Sequence, residues 1–124
     1  MAAKTVRKPW GHEVVFARNR RYAGKLLVIE KGHRLSLQYH RVKHETLYLL
    51  EGRLRVELGR RRRDLRPGAV IDVPPRTVHR FAALGGRAML VEVSTPELGD
   101  IVRIEDVYQR VPEAAAPLDT KAAS

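Results

Sequence analysis

The segment Gly32-His33-Arg34-Leu35-Ser36-Leu37-Gln38-Tyr39-His40-Arg41-Val42-Lys43-His44-Glu45-Thr46-Leu47-Tyr48-Leu49-Leu50-Glu51-Gly52 decides how the rest of the chain reads. Between its glycines lie two short strand-like runs, residues 35–39 and 46–50, joined by a polar connection. Such runs, bounded by turn residues, predict β-strands. Gln38 and His40 are two apart, so on one strand they point to the same face. Glu45 opens the next strand and can close on the same point. If that face is an interior, amide oxygen, imidazole and carboxylate converge there.

Outward from this segment the same pattern repeats. Residues 14–16, 25–30, 54–58, 70–73, 79–83 and 88–93 are further short runs rich in β-branched or apolar side chains. Turn signals separate them at Lys31-Gly32, Glu51-Gly52, Pro67-Gly68, Pro74-Pro75 and Gly85-Gly86. Short strands at this spacing predict an all-β sandwich or barrel. No central stretch carries a 3.6-residue apolar period, and only residues 104–108 suggest a short helical turn. Residues 1–110 read as one domain. Residues 111–124, rich in Ala, Pro and polar side chains, read as a flexible tail.

Composition narrows the function classes. With 124 residues and no cysteine, the chain has the length of one domain, without disulfides, thiolate metal sites or thiol nucleophiles. No apolar run approaches the roughly 20 residues of a membrane span, and residues 1–7 lack the apolar core of a secretory signal. The expected setting is cytoplasmic, away from membranes. Lys and Arg total 24 against 14 Asp and Glu. That surplus suits nucleic acid or an anionic small molecule. The densest run, Arg60-Arg61-Arg62-Arg63, reads as a solvated hairpin tip between strand-like flanks. No aromatic residues interleave with it to stack bases, so nucleic acid is not the expected partner.

A second segment, from Gly68 to His79, carries Pro74-Pro75 and places His79 at the head of a later strand. A single histidine is more often a surface or core residue than a ligand, and His12, His33 and His44 read that way. Gln38, His40, Glu45 and His79 together differ, because polar groups aimed into a small barrel are costly unless paired or metal-bound. Two imidazoles, an amide and a carboxylate suit one borderline or hard divalent ion such as Zn, Mn, Fe, Co or Ni.

The spacing Gly32, five residues, Gln38-Tyr39-His40, four residues, Glu45, six residues, Gly52 resembles the first motif of the cupins. Gln38 stands where many have the first His. Gly68, five residues, Pro74, then His79 resembles the second motif, with Arg76 in place of the usual Gly and Ala83 in place of the usual Asn. This resemblance implies a jelly-roll cupin barrel, a double-stranded β-helix. Lys8-Pro9-Trp10-Gly11, the 35–40 run, Val73-Pro74, His79-Arg80 and residues 99–106 are similar to the cupin of type II phosphomannose isomerases. In bifunctional members that cupin follows a guanylyltransferase domain, whose Gly-rich loop is absent from these 124 residues. After His40 the family usually carries another His, an Arg and Glu-His-Trp. Here Lys43 keeps the basic charge and Leu47 replaces the aromatic.

That resemblance implies interconversion of mannose 6-phosphate and fructose 6-phosphate through an enediol. A base must move a proton between C1 and C2, and its pKa should lie near neutrality. Glu92, flanked by Val91 and Val93, and His44, beside Glu45, are the candidate bases. Glu92 points either into the barrel or to solvent. Arg103, Lys25, Lys43 and Arg80 are candidates for the phosphate, with Arg103 first, and Arg7 comes last. The alternatives are another metal-dependent cupin enzyme, an oxygenase or a sugar lyase, and a non-catalytic sugar-binding or sensor module. A homodimer is expected, with residues 14–16 adding to a neighbour's sheet edge.

Overall fold

Alternation of buried and exposed side chains marks the longest strands of the computed structural model, which describes residues 2–106 and 108. Its strands are β1 (Lys4–Lys8), β2 (Gly11–Arg18), β3 (Ala23–Ile29), β4 (Leu37–Tyr39), β5 (Glu45–Leu58), β6 (Arg61–Leu65), β7 (Val70–Val73), β8 (His79–Ser94) and β9 (Val102–Glu105). No helix occurs among the described residues, so none there is long and apolar enough to cross a membrane.

Two of these strands are longer than the sequence suggests. Separate strands were expected at 46–50 and 54–58, and again at 79–83 and 88–93. Instead β5 and β8 each run unbroken, and their turn signals mark bends rather than ends. Gly52 bends β5 at φ 82°, within the register shift at Glu51/Arg53 that follows another at Leu49/Glu51. Gly85 bends β8 at φ 78°. Each strand thereby serves two layers. Residues 45–49 and 88–94 lie in the order β1-β2-β3-β8-β5-β7, whereas residues 53–58 and 79–84 lie in the order β9-β4-β8-β5-β6. The result is the expected all-β jelly-roll barrel.

Register stacks the interior in rows. Leu27, Leu90 and Leu49 are neighbours across β3, β8 and β5, and one row further along the same inward face come Lys25, Glu92 and Leu47. Leu54, Val56 and Phe81 face them from the second layer, and Trp10 is fully buried in the turn between β1 and β2. Each such Leu or Phe contributes about 1.5–3 kcal/mol by leaving water. The interior is therefore apolar at one end and ionisable at the other.

Other expectations are corrected as well. Residues 104–108 form no helical turn: Val102–Glu105 is β9, followed by a turn in which the Tyr108 amide donates to Asp106 Oδ1 at 3.1 Å. Residues 14–16 cannot join a neighbour's edge, because β2 is paired on both sides by β1 and β3. Arg61, Arg62 and Arg63 form exposed strand β6, leaving Gly59 and Arg60 as the hairpin tip. The expected tail at 111–124 lies outside the described residues.

A Cβ at residue 52 would collide with the Arg87 carbonyl oxygen and lie 2.9 Å from Ala88 Cα, on backbone that already demands positive φ. Gly52→Ala is expected to cost about 2–4 kcal/mol, read as a lower denaturation midpoint with an unchanged slope.

Candidate metal centre

β4 ends at Tyr39 and carries Gln38 inward, and His40 follows on the same face. Glu45 is the first residue of β5 and His79 the first of β8. All four side chains are at most 1% exposed. His40 Nε2 lies 3.6 Å from Glu45 Oε1, and His79 Nε2 lies 3.4 Å from Glu45 Oε2. Carbonyl partners fix both ring tautomers. His40 Nδ1 donates to the Asp100 carbonyl at 2.6 Å, and His79 Nδ1 donates to the Thr77 carbonyl at 2.8 Å. A carbonyl can only accept, so in the neutral rings each Nε2 is a lone pair facing a carboxylate oxygen.

Neither Nε2 and neither Glu45 oxygen has a hydrogen-bond partner of good geometry, and Gln38 Nε2 is likewise unsatisfied. Of the two Glu45 oxygens Lys43 reaches only Oε1, so the two imidazole lone pairs and Glu45 Oε2 converge with no donor between them, an arrangement that suits a cation. His40, Glu45 and His79 offer ligand atoms within 4.8 Å of one another, a group that could hold a metal ion.

The surrounding charges sharpen that reading. Glu13, Lys25, Lys43, Glu45 and Glu92 are all buried, giving three carboxylates against two ammonium groups and one negative charge in excess. Lys43 Nζ lies 2.9 Å from Glu45 Oε1 and 3.1 Å from Glu92 Oε2, bridging them. Lys25 Nζ donates to Glu13 Oε2 at 3.1 Å and lies 3.9 Å from Glu92. Burial alone would strip the charge from Lys43, but Glu45 and Glu92 outweigh it and hold its pKa above the usual lysine range. Burial also pushes Glu45 up, yet Lys43 and the two imidazoles pull it well below the usual carboxylate range. Glu92 moves the other way. Burial and the charge of Glu45 raise its pKa against the pull of Lys25 and Lys43. Two neighbouring carboxylates thus have opposed proton affinities.

The other expected site residues are placed as follows. Glu92 faces the interior, which closes the question of its orientation. His44 is corrected as a candidate base. Adjacent to Glu45 on an alternating chain, it lies on the outer surface and meets Asp72 Oδ1 at 2.9 Å. Arg80 is corrected as a phosphate ligand for the same reason of alternation. It faces away from His79, with Nε on the Leu35 carbonyl at 3.1 Å and Nη2 on Glu105 Oε1 at 3.0 Å, tying β8 to β9. Lys25 and Lys43 have their ammonium groups committed to buried carboxylates. Arg103 stands half-buried on β9 opposite Gln38, and Arg7 is exposed on β1.

Asp100 carries a positioning role that sequence reading did not give it. Its carboxylate accepts from the amides of Arg41 at 2.9 Å, Val42 at 2.8 Å and Lys43 at 2.9 Å, clamping the loop between His40 and Glu45. Partial burial raises its pKa, and these amide donors more than reverse that. Glu13, the partner of Lys25, was also missed. A lone acid on a strand carries no sequence signal of which face it takes.

Comparison with known proteins agrees with this architecture. The profile of the Cupin domain family matches residues 25–94. The chain is 32% identical over 114 residues to the alginate biosynthesis protein AlgA of Pseudomonas aeruginosa, covering 89% of the chain and 24% of that protein. It therefore spans about a quarter of that relative's length. KdgF from a Halomonas species superposes with a TM-score of 0.68 at 19% identity, covering 75% of this chain and 86% of that one. Bacillus subtilis oxalate decarboxylase, whose structure is described with Mn(II) centres, superposes with a TM-score of 0.71 at 19% identity, covering 82% and 30%. The domain match, with the bent two-layer barrel behind it, places the chain in the cupin family.

Proposed function

We propose that the chain is a metal-dependent aldose–ketose isomerase of a phosphorylated sugar, with mannose 6-phosphate to fructose 6-phosphate as the leading reaction. The observation that carries this reading is the pairing of a cation-deficient His40–Glu45–His79 cluster with Glu92, a buried carboxylate of raised proton affinity. The 32% identity to AlgA across most of the chain supports it, as does the likeness to type II phosphomannose isomerases in the 35–40 and 99–106 runs. The ligand set would be His40, Glu45 and His79, with Gln38 as a fourth donor. Turning the Gln38 amide by 180° puts its oxygen at the unsatisfied position and its nitrogen toward Ser36 Oγ. This nitrogen–oxygen set favours zinc and accepts Mn, Co, Ni or Fe. A bound divalent ion would polarise the carbonyl and hydroxyl oxygens at C1 and C2, acidifying the C–H bond beside the carbonyl.

The chain's own groups supply the rest. Glu92 takes the proton from one carbon and returns it to the other. Lys43 balances the charge of ionised Glu92 while keeping Glu45 ionised as a ligand. The Asp100 and Thr77 carbonyls hold the two imidazoles in the orientation that offers Nε2. Arg103, beside Gln38, is the cation assigned to the phosphate.

Metal-loaded protein in a coupled assay with both sugar phosphates is expected to turn over, and His40→Ala and His79→Ala are expected to be inactive. Glu92→Gln should lose about 10²- to 10⁴-fold in kcat while keeping the metal-dependent rise in Tm. Absence of turnover with every common hexose phosphate would refute the isomerase reading. Asp100→Ala, which frees the loop between His40 and Glu45, is expected to weaken metal binding about 10- to 100-fold by calorimetric titration.

We also propose a homodimer, formed through the outer face of the first layer rather than a strand edge. Tyr48 neighbours Val70 on one side and Val91 on the other, and Phe16 lies over Gly24 beside Val93. Phe16, Tyr48, Val70 and Val93 are 45–65% exposed, an apolar surface on four strands. Light scattering is expected to give twice the chain mass, and Val70→Glu with Val93→Glu to give the monomer.

A further inference from the structure

Tyr39 and Arg41 alternate along the chain with Gln38 and His40 and so face the outside of the barrel. There they line, with Arg76 and Val78, a depression of about 310 Å³. Its chemistry is cationic, with both guanidinium groups exposed and open to a ligand. Elsewhere the arginines beside carboxylates are paired, Arg55 with Asp64, Arg80 with Glu105 and Arg87 with Glu51. Among the described residues, the side chains of Arg41, Arg76 and Tyr39 make no hydrogen bond or ion pair, and no carboxylate lines the depression. The nearby Asp100 carboxylate is already engaged by three backbone amides.

The backbone beneath is built rather than loose. Arg76 has φ 64° and is the one non-glycine residue with positive φ among those described, a conformation that disfavours any side chain with a Cβ. It is held there by its amide, which donates to the His40 carbonyl at 2.6 Å. The Arg41 amide is fixed at 2.9 Å on Asp100 Oδ1. Two arginines are thus anchored on either side of one residue, and one of them occupies a position where glycine would be unstrained. Strain retained beneath an unpaired charge points to a ligand.

We propose that this depression binds a phosphate monoester. Two guanidinium forks match the oxygens of a tetrahedral dianion, and the Tyr39 hydroxyl is a third donor. The Tyr39 ring and Val78 provide an apolar flank for the carbon portion of the ligand. Because β4 separates the depression from His40, Glu45 and Glu92, it is a second site rather than the place of reaction. It stands whether or not the isomerase reading holds.

The test is calorimetric titration of the metal-free full chain in an Arg103→Gln background, which removes the cation assigned to the phosphate at the metal centre. The titrants are inorganic phosphate, mannose 6-phosphate and mannose, at constant ionic strength in chloride. Saturable binding of phosphate and equal or tighter binding of mannose 6-phosphate, with none of mannose, is expected. Arg41→Gln and Arg76→Gly should each weaken both phosphates about tenfold or more, and Arg61→Gln, on distant β6, should not. Glycine suits φ 64°, so Arg76→Gly should fold at least as stably as the parent, which removes misfolding as an explanation. Parental affinity in both Arg41→Gln and Arg76→Gly, or binding of inorganic phosphate without the ester, would overturn the proposal.

Discussion

Glu45 and His79 sit at opposite ends of one antiparallel ladder. Glu45 pairs with Ser94 at one end, and His79 pairs with Leu58 at the other. Laid flat, that ladder would hold them roughly 40 Å apart at about 3.3 Å per residue. They instead approach to 3.4 Å, because β5 and β8 fold over together at Gly52 and Gly85. Everything at the site depends on that bend. It turns one sheet into two layers, encloses the apolar rows between them, and brings the ladder's two ends face to face.

Within that enclosure the electrostatics follow from a single imbalance. Buried carboxylates are tolerable when an ammonium group lies within contact distance, and Lys25 and Lys43 supply two. The third negative charge falls beside two imidazole lone pairs. The same arrangement divides the carboxylates by proton affinity, since Lys43 keeps Glu45 ionised while desolvation acts on Glu92. A charge pattern assembled from four strands and one loop thereby produces two chemically different acids in adjacent rows of the barrel.

Much of this was legible in the sequence because a period of two is unambiguous for short strands. It placed Gln38 and His40 on one face, and it marked the apolar runs that became β3, β5, β7 and β8. It also contained the information that excludes His44 and Arg80, since each is adjacent to an inward residue and must face outward. What sequence could not separate was a turn from a bend. Glu51-Gly52 and Gly85-Gly86 carry turn chemistry, yet the chain continues through both, because neighbouring strands supply hydrogen bonds on either side. β9 was missed because its residues form a ladder only against Leu37, Gln38 and Tyr39, far back in the chain. The role of Asp100 escaped for the same reason. Its partners lie 57–59 residues earlier, and no local pattern announces so distant a clamp.

The bend also imposes an order in time. Gln38, His40 and Glu45 leave the point of synthesis within eight residues of one another, whereas His79 follows only after a further 34. Until the second long strand is complete and folded over, the growing chain offers an incomplete set of donors on a loop that Asp100 has not yet fastened. Closing contacts so distant in sequence is slow compared with forming a hairpin. An emerging chain therefore passes through a stage in which the converging donors are incomplete, and their closure into one cluster reports that the last strands have arrived.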